Sequence, residues 1–179
     1  MKNILSLALI LLLYAAQAQD DAKSSFRKYP VESTGCYVYL PAQPGTWTLT
    51  KSDDGSEVYT LSVQSDNLVF DVIAVQFLEP INLPTREGKE LLLISYLDFL
   101  KQQFKVSQSA GYGKGQMLPG NDAAAGVIDY WEFDDGAKGK IKGWITDTHL
   151  AVLLVSGSKD PDSNSVTNLF LDGFRFPEK

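Results

Sequence analysis

The sequence holds one cysteine, one histidine and two methionines in 179 residues. The lone thiol, Cys36, cannot close an internal disulfide. The single imidazole, His149, supplies neither the several ligands of a zinc site nor, without an activated serine or cysteine beside it, a nucleophilic triad. Basic charge is short as well: 16 Lys and Arg stand against 22 Asp and Glu, a formal charge of −6. Nucleic acid is therefore an unfavourable partner, because phosphate backbones are held by basic surfaces. Long apolar runs are missing too. The longest, residues 4–14, falls short of the roughly twenty residues that a spanning helix needs.

That run belongs to a leader. Lys2, the apolar stretch and the small residues Ala16 and Ala18 form the three parts of a secretory signal, with cleavage expected after Ala18. The expected destination is the periplasm or the medium. No cysteine stands at the cleavage site, so a lipoprotein anchor is not expected. Removing the leader takes one lysine and no acid, which moves the formal charge from −6 to −7. Residues 19–28 are polar and read as a flexible arm. Residues 29–179 suffice for one domain with its own core, and Cys36 is expected inside it as a small apolar residue.

Periodicity gives the order of elements. Cys36, Val38 and Leu40 alternate with Tyr37 and Tyr39 up to Pro41, a strand pattern. "TWTLTK" and "EVYTLSVQ" follow as further short strands joined by an acidic turn, which predicts an antiparallel meander of three. "LVFDVIAVQF" is apolar on both faces and should lie centrally in a sheet covered above and below. A helix then starts at the cap Thr85, with Glu87 and Glu90 near its positive end, and carries the stripe Leu93, Leu97, Leu100 and Phe104. "GVIDYWEF" and "AKGKIKGWI" form a hairpin closed by Gly136, in a register that sets Glu132 against Lys138. "HLAVLLVSG" is a second doubly apolar strand, expected beside the one at Leu68. Asp160 and Pro161 open a last helix striped by Val166, Leu169, Phe170 and Phe174 and ended by Gly173. The fold class expected is α+β, an antiparallel sheet packed between helices.

"YVYLP", the apolar strand before one long helix, "LAVLLVSG" and the closing "FLDGFRF" together resemble the PsbP-like superfamily. That superfamily includes a photosystem accessory protein, Ran-binding nuclear transport relatives and bacterial periplasmic proteins. The resemblance spans residues 35–177, with Gly173 where relatives often have serine. It implies an α/β/α sandwich, macromolecular binding and usually no catalysis.

Five glycines lie within residues 111–126, but "GKG" is followed by Gln116 where a Walker loop needs Ser or Thr, and the stretch follows a helix where a dinucleotide fingerprint follows a strand. It reads as a mobile connection. Residues 160–164, "DPDSN", imitate a calcium loop but lack its sixth-position glycine and twelfth-position glutamate, so capping explains them. Asp71 and Asp129 interrupt apolar strands, and two carboxylates within about 10 Å can hydrolyse a glycoside. Lys138, Lys140, Lys142 and Trp144 alternate onto one strand face with Tyr130 opposite. This basic row is the candidate surface for another envelope protein or an anionic glycan or lipid. A solvated face with Trp144 tucked under the terminal helix is the competing structural role. The sequence thus points to a non-catalytic binding or accessory protein without cofactor or metal, with a carboxylate-dependent hydrolase using Asp71 and Asp129 as the alternative.

Overall fold

The computed structural model describes residues 26–158, 160–161 and 166–177. The expected leader, residues 19–25 of the expected arm, and residues 162–164 of the "DPDSN" segment lie outside the described residues. The chain runs β1 (Arg27–Pro30), β2 (Tyr37–Leu40), β3 (Thr48–Lys51), β4 (Glu57–Ser65) and β5 (Leu68–Gln76) before helix α1 (Arg86–Gln103). Next come β6 (Val106–Ser109), β7 (Gly113–Leu118), β8 (Asn121–Phe133), β9 (Lys138–Ile145) and β10 (His149–Gly157), then helix α2 (Thr167–Leu171) and β11 (Phe174–Arg175).

An eight-stranded antiparallel sheet has the order β3-β4-β5-β10-β9-β8-β6, with β7 pairing β8 beyond β6 on the same edge. The two doubly apolar strands, β5 and β10, pair over nine residues at its centre, as their composition demands. The β8–β9 hairpin sets Glu132 against Lys138, and Gly136 closes its turn at φ 81°.

Each sheet face has its own core. On one, α1 buries Leu93, Leu97 and Leu100 against Val127, Trp131, Ile141 and Val152. Its N-terminus is capped by the Thr85 hydroxyl, which accepts from the Gly88 amide at 3.1 Å. On the other face, Phe70, Trp144 and Leu153 meet Val38, Leu40, Phe170 and Phe174. The layer that brings those residues is a small sheet, β1-β2-β11, together with α2.

The structure is α+β and antiparallel as expected, yet four details depart from the expectation. The second face is covered mainly by strands, where a helix was expected. β2 leaves the anticipated meander with β3 and β4 to pair β1 and β11. The last helix is only five residues long, and Phe174 lies in β11, because the chain must turn at Asp172–Gly173 to reach β2. A Cβ on Gly173 would stand 2.7 Å from the Leu169 carbonyl oxygen, so the turn needs glycine. Fourth, Arg27 and Lys28, placed in the arm by their polarity, belong to β1. No helix among the described residues is long and apolar enough to cross a membrane. Cys36 is free and buried, and its thiol is pushed up to about 11 by that burial.

Candidate functional site

The lysine row does not form an open basic surface. Lys140 and Lys142 are buried and Trp144 is wholly inaccessible, because α2 and the turn after it lie across them. The Lys140 Nζ donates to Asn168 Oδ1 at 3.1 Å, and the Lys142 Nζ pairs with Asp172 Oδ1 at 2.7 Å. The Trp144 Nε1 donates to the Leu171 carbonyl at 2.9 Å. Alternate residues on a strand are about 6.8 Å apart, and residues four apart on a helix about 6 Å. Two lysines on β9 therefore match Asn168 and Asp172 one for one. The row is the seat of the C-terminal segment, and only Lys138 and Tyr130 remain exposed.

A cavity of about 450 Å³ lies beside that segment. Phe26, Tyr39, Pro119 and Leu169 give it apolar and aromatic walls, while Asn168, Asp172 and Arg175 supply polar groups. Arg175 is fixed by its own chain. Its Nη1 donates to the carbonyls of Asp172 at 2.8 Å and Phe174 at 2.6 Å, and its guanidinium lies 5.6 Å from the centre of the Tyr39 ring. None of Phe26, Tyr39, Asn168, Asp172 and Arg175 was a candidate in the sequence. The one signal available was the commensurate spacing of Lys140/Lys142 with Asn168/Asp172.

On the opposite face, Asp129 is fully buried and fully bonded. Its Oδ2 accepts from Ser109 Oγ at 2.6 Å and Trp131 Nε1 at 2.8 Å and pairs with Lys101 Nζ at 3.1 Å, while its Oδ1 accepts the amides of Tyr130 and Gly111 at 2.8 and 3.0 Å. Burial alone would raise its pKa; the bonds from Ser109, Trp131, the Tyr130 amide and Lys101 outweigh it and hold the carboxyl below the ordinary value. Ser109 Oγ also accepts from Lys101 Nζ at 2.9 Å, which places a serine beside a lysine. The pair lacks a base, however, since that ammonium also faces Asp98 at 3.6 Å and a carboxylate held ionised attracts protons weakly.

Asp71 lies on the same sheet face, in a row that runs Asp71, Leu154, Ile141, Asp129 across β5, β10, β9 and β8. Three strand spacings separate the two acids, about 14 Å, with two buried apolar side chains between them. One glycosidic bond needs its two carboxyls under about 10 Å apart. Burial raises the pKa of Asp71, and a hydrogen bond from Ser62 offsets part of that.

The glycine stretch is structured. It forms β7, a turn at Pro119–Gly120 and the start of β8, and α1 clamps it: the Gly115 amide donates to Glu90 Oε1 at 2.9 Å, and Arg86 donates to the carbonyls of Gln116, Asp122 and Ala124. Neither a mobile connection nor a lid describes it. Gly126 sits against Trp144, where a Cβ would stand 2.3 Å from the indole ring. His149 opens β10 and is buried against Phe176, with Nδ1 2.8 Å from the Thr148 hydroxyl and Nε2 without a hydrogen bond among the described residues. Burial holds its pKa below the ordinary value, opposed by the Thr34 backbone. Among the described residues no group of three or more His, Cys, Asp or Glu is placed to hold a metal ion.

No protein-family model matches the chain, and no curated protein matches it. Among solved structures, the extracellular domain of PknH from Mycobacterium tuberculosis is similar with a TM-score of 0.36 and 12% identity, over 73% of this chain and 80% of that one. A likeness at that level carries no argument about function.

Proposed function

We propose that this chain is a secreted or periplasmic binding module of the PsbP-like kind that works without catalysis, and that the cavity beside Arg175 is its ligand site. The observation that carries this reading is the cavity itself. Its volume falls within the range of small-molecule sites, and its walls are mostly apolar with a few convergent polar groups. Burial of Lys140 and Lys142 moves the proposed centre of binding from an open basic row to the cavity beside the segment those lysines hold. Lys138 and Tyr130, exposed at one end of the row, are the part of it available to an envelope partner or an anionic glycan or lipid. The backbone separation of about 14 Å between Asp71 and Asp129 weighs against the hydrolase alternative.

A fragment screen by saturation-transfer NMR tests the reading, run on the protein and on Leu169→Trp, which fills the cavity. Hits that disappear in the variant are expected. Hits that bind the variant equally would place the ligand elsewhere and contradict the proposal.

A further inference from the structure

The cavity has a chemical preference written into one side chain. Arginine recognises a carboxylate most specifically with two parallel N–H groups on one edge of its planar guanidinium. In Arg175 the Nη1 group is occupied by two backbone carbonyls, and the centre of the Tyr39 ring lies 5.6 Å from the guanidinium carbon. The Nε and Nη2 groups, which together form the side-on edge, make no hydrogen bond among the described residues. A guanidinium is thus held in place through Nη1, and its residue lines a cavity together with Phe26, Tyr39, Pro119 and Leu169.

The charges around it agree. Asp172, the acid in the lining, is matched by Lys142 at 2.7 Å, so the positive charge of Arg175 is not cancelled by its neighbour in the wall. On a chain of formal charge −6, this is a guanidinium beside partly apolar walls, where an anion's interaction is less screened than on an open polar surface.

We propose that the ligand is an amphipathic monocarboxylate: an apolar body of ring or short-chain size against the aromatic walls, with its carboxylate on the Nε and Nη2 edge of Arg175. This rests on the reading of the cavity as the ligand site. It adds a polarity to that site, with the acid group at β11 and the apolar body toward Phe26 and Leu169.

Calorimetric titration with 4-phenylbutanoate, its primary amide and 4-phenylbutyl phosphate separates the two claims. The carboxylate is expected to bind at least tenfold more tightly than the amide, and Arg175→Gln to remove that difference. Because Arg175 also holds the turn at Asp172–Phe174, the acid-against-amide ratio on the unaltered protein decides even if the variant unfolds. Arg175→Lys keeps the charge without the fork, and should retain only part of the ratio. Equal binding of acid and amide overturns the carboxylate assignment and leaves the cavity as a binding site. Tighter binding of the phosphate likewise overturns it. Binding of none of the three by protein whose fragment hits also survive Leu169→Trp removes the cavity reading itself.

Discussion

The two faces of the large sheet both bury charge, and they differ in what remains to be bonded. Under α1, the carboxylate of Asp129 accepts five contacts, and the Lys101 that pairs with it is shared with Ser109 and Asp98. Among the described residues both carboxylate oxygens of Asp129 are bonded. Under the C-terminal segment, Lys140, Lys142 and Trp144 are consumed in seating α2, while Arg175, one layer further out, is fixed through Nη1 and lines the cavity. A saturated buried network is scaffold, whereas a positioned but unsaturated group beside a cavity is a means of recognition.

The sharpest way to test that contrast is to remove Asp129. Asp129→Asn takes from Lys101, whose side chain is 19% exposed, its buried counter-charge and leaves it the exposed Asp98, while Ser109 and Trp131 keep a poorer acceptor. The expected loss is about 3 kcal/mol, read as a fall in the urea midpoint at unchanged slope. Lys142→Met, in the other network, should cost about 1 kcal/mol, because Asp172 is 34% exposed and can rehydrate. Equal losses from the two substitutions would erase the distinction between the faces.

Acid should separate the faces in a second way. The folded pKa of His149 lies below its ordinary value, so the unfolded chain takes up a proton that the folded chain refuses. Stability should then fall as pH drops through the ordinary histidine range near 6.5, and level off below the folded pKa. Melting temperatures at pH 7.5 and 5.5 should differ for the protein and far less for His149→Phe; an unchanged difference would assign the effect to other groups. The smallest effect belongs to Asp71. Its raised pKa means that the ionised form is disfavoured in the folded state, so stability from this group rises as pH falls through the folded value. Asp71→Asn should therefore be neutral or stabilising by about 0.5 kcal/mol at pH 7, the opposite sign to Asp129→Asn. A destabilisation like that of Asp129→Asn would reveal that Asp71 has a partner held as tightly as Lys101 is held by Asp129.

The central pairing of β5 with β10, the α1 stripe and the β8–β9 register were legible in the sequence because each follows from local periodicity or turn chemistry. Sheet membership was not. Alternation at Val38 and Leu40 identifies a strand, but nothing local says that its neighbours are Arg27–Pro30 and Phe174–Arg175. The same limit hid the cavity beside Arg175. Arg175 finds its carbonyl anchors within its own turn, but Tyr39 comes beside it only when β11 is laid against β2. The separation of about 14 Å between Asp71 and Asp129 likewise depends on two intervening strands, β10 and β9, that are distant in sequence from at least one of the acids. Lys140 and Lys142 could be placed on one face by counting, but whether that face met water or a helix depended on where α2 docked.

Amide chemical-shift mapping with 4-phenylbutanoate addresses the contrast between the faces most directly. The shifts should concentrate at Phe26, Tyr39, Asn168, Leu169, Gly173 and Arg175 and leave Ser109, Gly111 and Tyr130, around Asp129, where they were. Shifts centred on the Asp129 network, with the amides around Arg175 unmoved, would contradict the assignment of scaffold to one face and recognition to the other.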